Sequence, residues 1–98
     1  NCFELTAQLV SVEQLRFTPA GIPILACVLQ HHSQVTEADG ERQLEFSLQA
    51  LAAGSCSRLL EQVSLGSSAW FSGFLAPRRR HSKTLVFHII DFKVLVRT

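Results

Sequence analysis

The sequence predicts an all-β fold, a closed five-stranded barrel with one short helix between its third and fourth strands. Two observations carry this expectation. Apolar residues recur at every second position in several separate segments, the spacing of a strand with one buried face. Only residues 55–63 show helical spacing. A third observation bears on function: Arg78, Arg79, Arg80 and Lys83, four of the nine cationic side chains, fall within six residues between the last two predicted strands.

The elements follow in order. Phe3, Leu5, Ala7 and Leu9 alternate with Glu4, Thr6 and Gln8, giving the first strand. Two prolines and a glycine in residues 17–23 make that segment a loop. Residues 24–30 form a second strand, nearly continuous in apolar side chains, and residues 35–41 form a polar turn around Ala-Asp-Gly40. Leu44, Phe46 and Leu48 alternate with Glu45, Ser47 and Gln49 in the third strand, whose polar set faces solvent. A helix follows, capped by Ser55 or Ser57, with Leu59, Leu60 and Val63 as its apolar stripe. Gly66 restarts the chain into a fourth strand over residues 69–76. The fifth strand spans residues 85–96, and its alternation slips near Asp91, which predicts a bulge there. The strand phenylalanines Phe3, Phe46, Phe71, Phe74, Phe87 and Phe92 are expected to be mostly core.

This order, with the helix after the third strand, is the layout of the five-stranded Greek-key OB barrel, and closing a barrel also protects its sheet edges. A small SH3-like barrel and an open α+β sheet are the alternatives. The 98 residues make one domain, residues 1–98, and so short a chain buries a modest core, which favours oligomerisation. The apolar content of 47% points the same way, toward a dimer.

The net charge of +1 hides an asymmetry. Residues 1–62 carry seven acids and three bases, and residues 63–98 carry one acid and six bases. The basic half predicts a polyanionic partner. Cys2, Cys27 and Cys56 are an odd number, widely spaced and without a Cys-x-x-Cys, so they are expected to be reduced thiols, mostly buried, in a cytoplasmic protein rather than a disulfide framework or zinc site. No apolar run reaches the length of a membrane span and no signal peptide is recognised, so no membrane association is expected.

Catalysis is not expected either. The sequence has no dinucleotide fingerprint, phosphate-binding loop, nucleophile elbow or His-Glu-x-x-His. His31 and His32 are adjacent, and neighbours on a strand point to opposite faces, so one is expected inward and the other solvated rather than both on a metal. His88, in an apolar strand, is expected to be a hydrogen-bonded core histidine. No cofactor is implied.

OB barrels bind single strands on the face around strands 2 and 3, framed by the strand 1–2 and strand 4–5 loops. The basic run falls in the second of these loops, and Arg16 and Phe17 in the first. Arginines offer phosphates a fork of donors without regard to base sequence. Phe17 is a stacking candidate, whereas the outer face of strand 3 lacks aromatics, which shifts weight to phosphate contacts.

Four blocks then carry a resemblance: Phe17-Thr-Pro-Ala-Gly-Ile-Pro-Ile24, Leu29-Gln-His-His-Ser33, Arg42-Gln43, and Gly73-Phe-Leu-Ala76 before the basic loop. In sequence and spacing they resemble the primosomal replication protein N (PriB) family, and the Thr-Pro-x-Gly element is similar to bacterial single-stranded DNA-binding proteins. The resemblance implies a homodimer of OB folds that binds single-stranded DNA, assists the primosomal helicase PriA and DnaT in restarting replication forks, and catalyses nothing itself. Arg16, Phe17, His32, Arg42, Arg78, Arg79, Arg80 and Lys83 are then the candidate nucleic-acid contacts. His32 stands where some members have an arginine, and Glu45 where some have a base-stacking tryptophan. The resemblance therefore implies weaker or differently routed DNA binding than in those members. A mainly protein-binding adaptor, favoured by Glu45 and the acidic first half, is the second expectation. An RNA-binding cold-shock-like module fits less well, because it needs surface aromatics on strands 2 and 3.

Overall fold

Alternation lays down the inner wall of the barrel. In a computed structural model describing residues 1–96, β1 (Phe3–Val12) buries Ala7 and Leu9 and exposes Thr6 and Gln8. β2 is a two-residue strand (Arg16–Phe17), and β3 (Pro23–Glu37) and β4 (Gly40–Ala53) form a long hairpin. α1 (Ser55–Glu61) leads to β5 (Ser68–Pro77) and β6 (Leu85–Val96). Arg97, one of the six bases in residues 63–98, lies outside the described residues.

The sheet runs β1-β5-β6-β4-β3-β2, and an added β1–β3 pairing closes it. The five predicted strands are β1, β3, β4, β5 and β6, with α1 between β4 and β5 as expected. One strand has to serve two neighbours at the closure. β1 pairs with β5 over residues 3–8 and with β3 over residues 8–12, and an irregularity at Val10 separates Leu9↔Leu29 from Ser11↔Val28. An extra residue kinks a strand and raises its twist, which lets β1 pass from one partner to the other. The ring is completed by a parallel β4–β6 ladder over Ala50↔Phe87, Leu51↔His88 and Ala52↔Ile89.

Inside, large and small side chains alternate. Leu9, Leu25, Leu29, Phe71 and Phe87 are fully buried beside Ala7, Ala50, Ala52 and Ala69, and Leu60 of α1 joins the same core. Alternating sizes are how a small barrel fills its taper. The expected slip near Asp91 is present: Ser72 pairs with Asp91 but Gly73 pairs with Ile89, so Ile90 is extra. Gly73 is required there, because a Cβ would collide with the His88 carbonyl.

Several local expectations are corrected. The second and third strands are far longer than predicted, since polar alternation continues the ladder where a turn was expected. The turn is only Ala38-Asp39, closed by the Glu37↔Gly40 pair, with Ala38 at φ 50. β1 pairs with β3 only as far as Gln30, and β6 pairs with β4 only at residues 50–52, so residues 31–47 continue past the barrel as a two-stranded ribbon. A 15-residue strand at about 3.3 Å per residue spans about 50 Å, which matches the 51 Å long axis against a 19 Å short one.

The loop expected at residues 17–23 begins at Thr18, since Phe17 pairs with Pro23. Neither serine caps α1: Gly54, at φ 70, holds the N-cap position, and the Ser57 hydroxyl donates to the Gly54 carbonyl at 2.6 Å. Leu59 is 60% exposed, so of the expected apolar stripe only Leu60 is fully buried, with Val63 half-buried just past the helix end. Phe46 and Phe74 are not core. Phe46 lies on the ribbon against His31, at a centroid distance of 5.0 Å. Phe74 faces outward and stacks on His88 at 4.8 Å. His88 is half-buried outside the barrel, stacked on Phe74, and its buried Nε2 has no hydrogen-bond partner among the described residues.

Candidate nucleic-acid interface

Strand alternation that buries Leu25, Cys27, Ala50 and Ala52 turns their neighbours outward. The register pairs Ala26 with Leu51 and Val28 with Gln49, and these four side chains make the floor of an open groove of about 320 Å³. The near-continuous apolar run of residues 24–30 held this signal, because apolar residues at both parities mean that the outer face is also partly covered.

Two walls rise from the floor. Arg16 pairs with Ile24, which shares the parity of Ala26 and Val28, and so joins the groove. The Glu13 amide donates to the Ala26 carbonyl at 2.9 Å, placing Glu13 beside it. The opposite wall is the start of the basic loop, Arg78 and Arg79. The Arg78 amide donates to the Thr84 carbonyl at 3.0 Å, and the Ser82 amide donates to the Arg79 carbonyl at 2.9 Å with His81 at φ 69. These bonds fold residues 78–84 into a tight turn. The Arg78 guanidinium reaches the Gln49 Oε1 at 3.4 Å, linking this wall to the floor.

The structure thus brings together Arg16, Arg78 and Arg79, together with Glu13, which the sequence did not single out. Arg80 and Lys83 are exposed on the same turn but do not line the groove. Phe17 is 56% exposed and outside the groove, with the Arg58 guanidinium 5.7 Å from its ring centroid. His32 and Arg42 lie on the ribbon. His32 is paired across the ladder with Glu45, and Arg42 is bound to Glu37 at 3.2 Å. Glu45 itself accepts from the Gln30 amide at 3.2 Å and is not part of the groove.

His31 is half-buried and engaged at both nitrogens, with the Thr6 carbonyl 2.7 Å from Nδ1 and the Ser33 hydroxyl 2.9 Å from Nε2, while His32 is exposed, the division the sequence predicts. Cys27 lines the groove from beneath. Burial and then the neighbouring Cys56 push its thiol up to about 12, so it stays protonated and unreactive. Cys56 is raised by burial and then by Asp91. Cys2, expected with the buried thiols, is exposed.

Residues 1–91 match the model of a family described as another single-strand binding protein family. A replication restart protein PriB from Bordetella pertussis is 38% identical over 89 residues, covering 91% of this chain and 83% of that one. The chain belongs to the PriB family. Within that family, PriB of Nitrosomonas europaea is 34% identical over 82% of this chain and 74% of its own. The solved structure of PriB from Ralstonia solanacearum superposes with a TM-score of 0.86 at 41% identity, covering 96% of both chains. The single-stranded DNA binding protein of Thermus aquaticus shares the fold, with a TM-score of 0.79 at 19% identity over 98% of this chain and 50% of that one. Among the described residues no helix is long and apolar enough to cross a membrane.

Proposed function

We propose that this protein is a primosomal adaptor that binds single-stranded DNA across the β3–β4 groove, with little sequence preference, and assists the helicase PriA and DnaT in restarting replication forks in the cytoplasm. Residues 1–98 act as one OB domain and work as a homodimer without catalysis. One observation carries the DNA reading: Arg16 on one wall faces Arg78 and Arg79 on the other, above an outward floor that is largely apolar. Guanidinium forks suit phosphates, and the floor suits the faces of bases. Family membership supports the process, since the relatives carry the name replication restart protein. The dimer is supported by the 47% apolar content and by Val35 and Phe46, both exposed on the ribbon.

Titration of labelled oligo-dT at two salt concentrations, with and without the helicase, tests this reading. Each phosphate contacted contributes about 0.7 to the slope of log affinity against log salt. A binding constant indifferent to salt, or an absence of binding, overturns it. Sedimentation as a monomer at micromolar concentration overturns the dimer.

A second reading, a protein-binding adaptor with weak DNA affinity, is favoured by the ribbon. Residues 31–47 carry Glu37, Asp39, Glu41 and Glu45 against one arginine. Helicase binding that survives loss of the groove arginines decides for it.

A further inference from the structure

The groove contains an acid that a pure phosphate clamp does not need. Glu13 lines it with Arg16, Arg78 and Arg79. Among the described residues the single ion pair is Arg42–Glu37, so none of the three guanidinium groups that share its groove lies within ion-pair distance of the Glu13 carboxylate. An unpaired carboxylate there repels every phosphate that enters. The Glu13 backbone is nevertheless fixed, because its amide continues the β1–β3 ladder onto the Ala26 carbonyl, directly beside the floor. From there the carboxylate is within reach of the edge of a base whose ring rests on Ala26, Val28 and Leu51.

We propose that Glu13 reads a base: it accepts a hydrogen bond from the exocyclic amine of one nucleobase seated on this floor, so that the groove favours cytosine over thymine. This rests on the DNA-binding reading and adds a preference to it. Carboxylates accept from the cytosine N4 amine, and single-stranded bases expose that edge because nothing pairs with it. The cavity of about 320 Å³ has room for one ring with its sugar. Gln49 completes the match. Its Oε1 is engaged by Arg78 at 3.4 Å, which leaves its NH2 to donate. Cytosine offers an amine to Glu13 and a ring carbonyl to Gln49 or an arginine. Thymine in the same place sets its O4 against the carboxylate, two acceptors with no proton between them. Adenine and guanine also carry an exocyclic amine, so the recognised chemistry is the amine, and the pyrimidine pair isolates it.

Fluorescence anisotropy with oligo-dC and oligo-dT of equal length, about fifteen nucleotides to span an OB site, tests the assignment. The wild-type protein is expected to bind oligo-dC about fivefold to tenfold more tightly than oligo-dT. Glu13→Gln, which keeps the size and adds a donor, brings the two within about twofold, mainly by raising the affinity for oligo-dT. Glu13→Ala also abolishes the preference, since the hydrogen bond to the cytosine amine and the repulsion of thymine O4 are both gone. Intrinsic differences between the oligomers are common to all three proteins and cancel when the ratios are compared. A ratio of oligo-dC to oligo-dT affinity that is the same in the wild type and both variants overturns the role of Glu13 and leaves the DNA reading standing. No binding of either oligomer overturns both.

Discussion

The β3–β4 hairpin has two halves built by one alternation rule and meant for different surroundings. Near the barrel, Leu25, Cys27, Leu29, Ala50 and Ala52 face a closed core, and the outward residues form a floor bordered by arginines. Beyond Gln30 the same inward parity continues through His31, Ser33, Val35, Leu44 and Phe46, with no barrel beneath it. The charge changes with the surroundings. The turn at residues 78–84 holds three arginines and a lysine without an acid, while the ribbon holds four acids and one arginine. A strand pattern records which residues share a face, and the neighbouring strands decide whether that face becomes core, groove or free surface.

The largest expected contrast is in stability. Phe87→Ala empties a fully buried site in the barrel and is expected to destabilise by about 3–5 kcal/mol. Phe46→Ala, on a ribbon residue 36% exposed, should cost about 1–2 kcal/mol, since its ring is only partly removed from water. Urea unfolding of both variants measures the difference, and equal losses would mean that the ribbon is as tightly packed as the barrel. Next comes binding. Arg78→Ala with Arg79→Ala should weaken oligo-dT binding about tenfold or more and lower the salt slope by about 1.4, two contacts at about 0.7 each. Arg42→Ala should change affinity less than about twofold, because that side chain is held by Glu37 on the ribbon. A larger effect for Arg42 in anisotropy titrations would move the DNA path onto the ribbon.

The thiols separate buried from exposed surface at a third scale. Cys2 should react with a thiol reagent at once in the folded protein, and Cys27 only on unfolding. The folded Cys27 thiol titrates near 12 instead of 9.0, so the neutral thiol is favoured by folding. That stabilisation is complete below the unfolded value and declines as pH rises from 9.0 toward about 12, which alkaline unfolding curves of the wild type and Cys27→Ala will display. The smallest effect is at the ribbon turn. Ala38→Gly should stabilise by about 1 kcal/mol or less, because glycine adopts φ 50 without a Cβ penalty. A small rise in melting temperature with no change in DNA affinity is the expected outcome.

Much of the barrel was legible because its signal is local. Alternation at Phe3 to Leu9, the helix after the third strand and the slip at Asp91 each lie within one segment, and each has its counterpart in the structure. Strand length was not legible. Gln34, Thr36 and Gln43 look like turn material by composition, yet the ribbon keeps them in ladder because their outward face needs no burial. The helix cap was missed for a related reason, since two serines signal a cap while Gly54 takes the place by its backbone angle. Of the candidate contacts, Arg16, Arg78 and Arg79 meet across the groove, an arrangement anticipated from the two loops. His32 and Arg42 do not join them, because the hairpin carries them along the ribbon. Glu13 left no local signal; only the ladder bond to Ala26 reveals its place.

The parallel ladder that closes the ring has a kinetic consequence. It joins Ala50 to Phe87 and consists of only three register pairs, whereas the β3–β4 ladder can zip up from its own turn. With so few pairs to hold it, the β4–β6 seam is expected to open first in the native state. Leu51 lies in that seam and Val86 directly beside it, and both line the groove. Slow amide exchange at residues 50–52 would therefore report a firm binding floor, and fast exchange there would mark a groove that breathes along its own closing line.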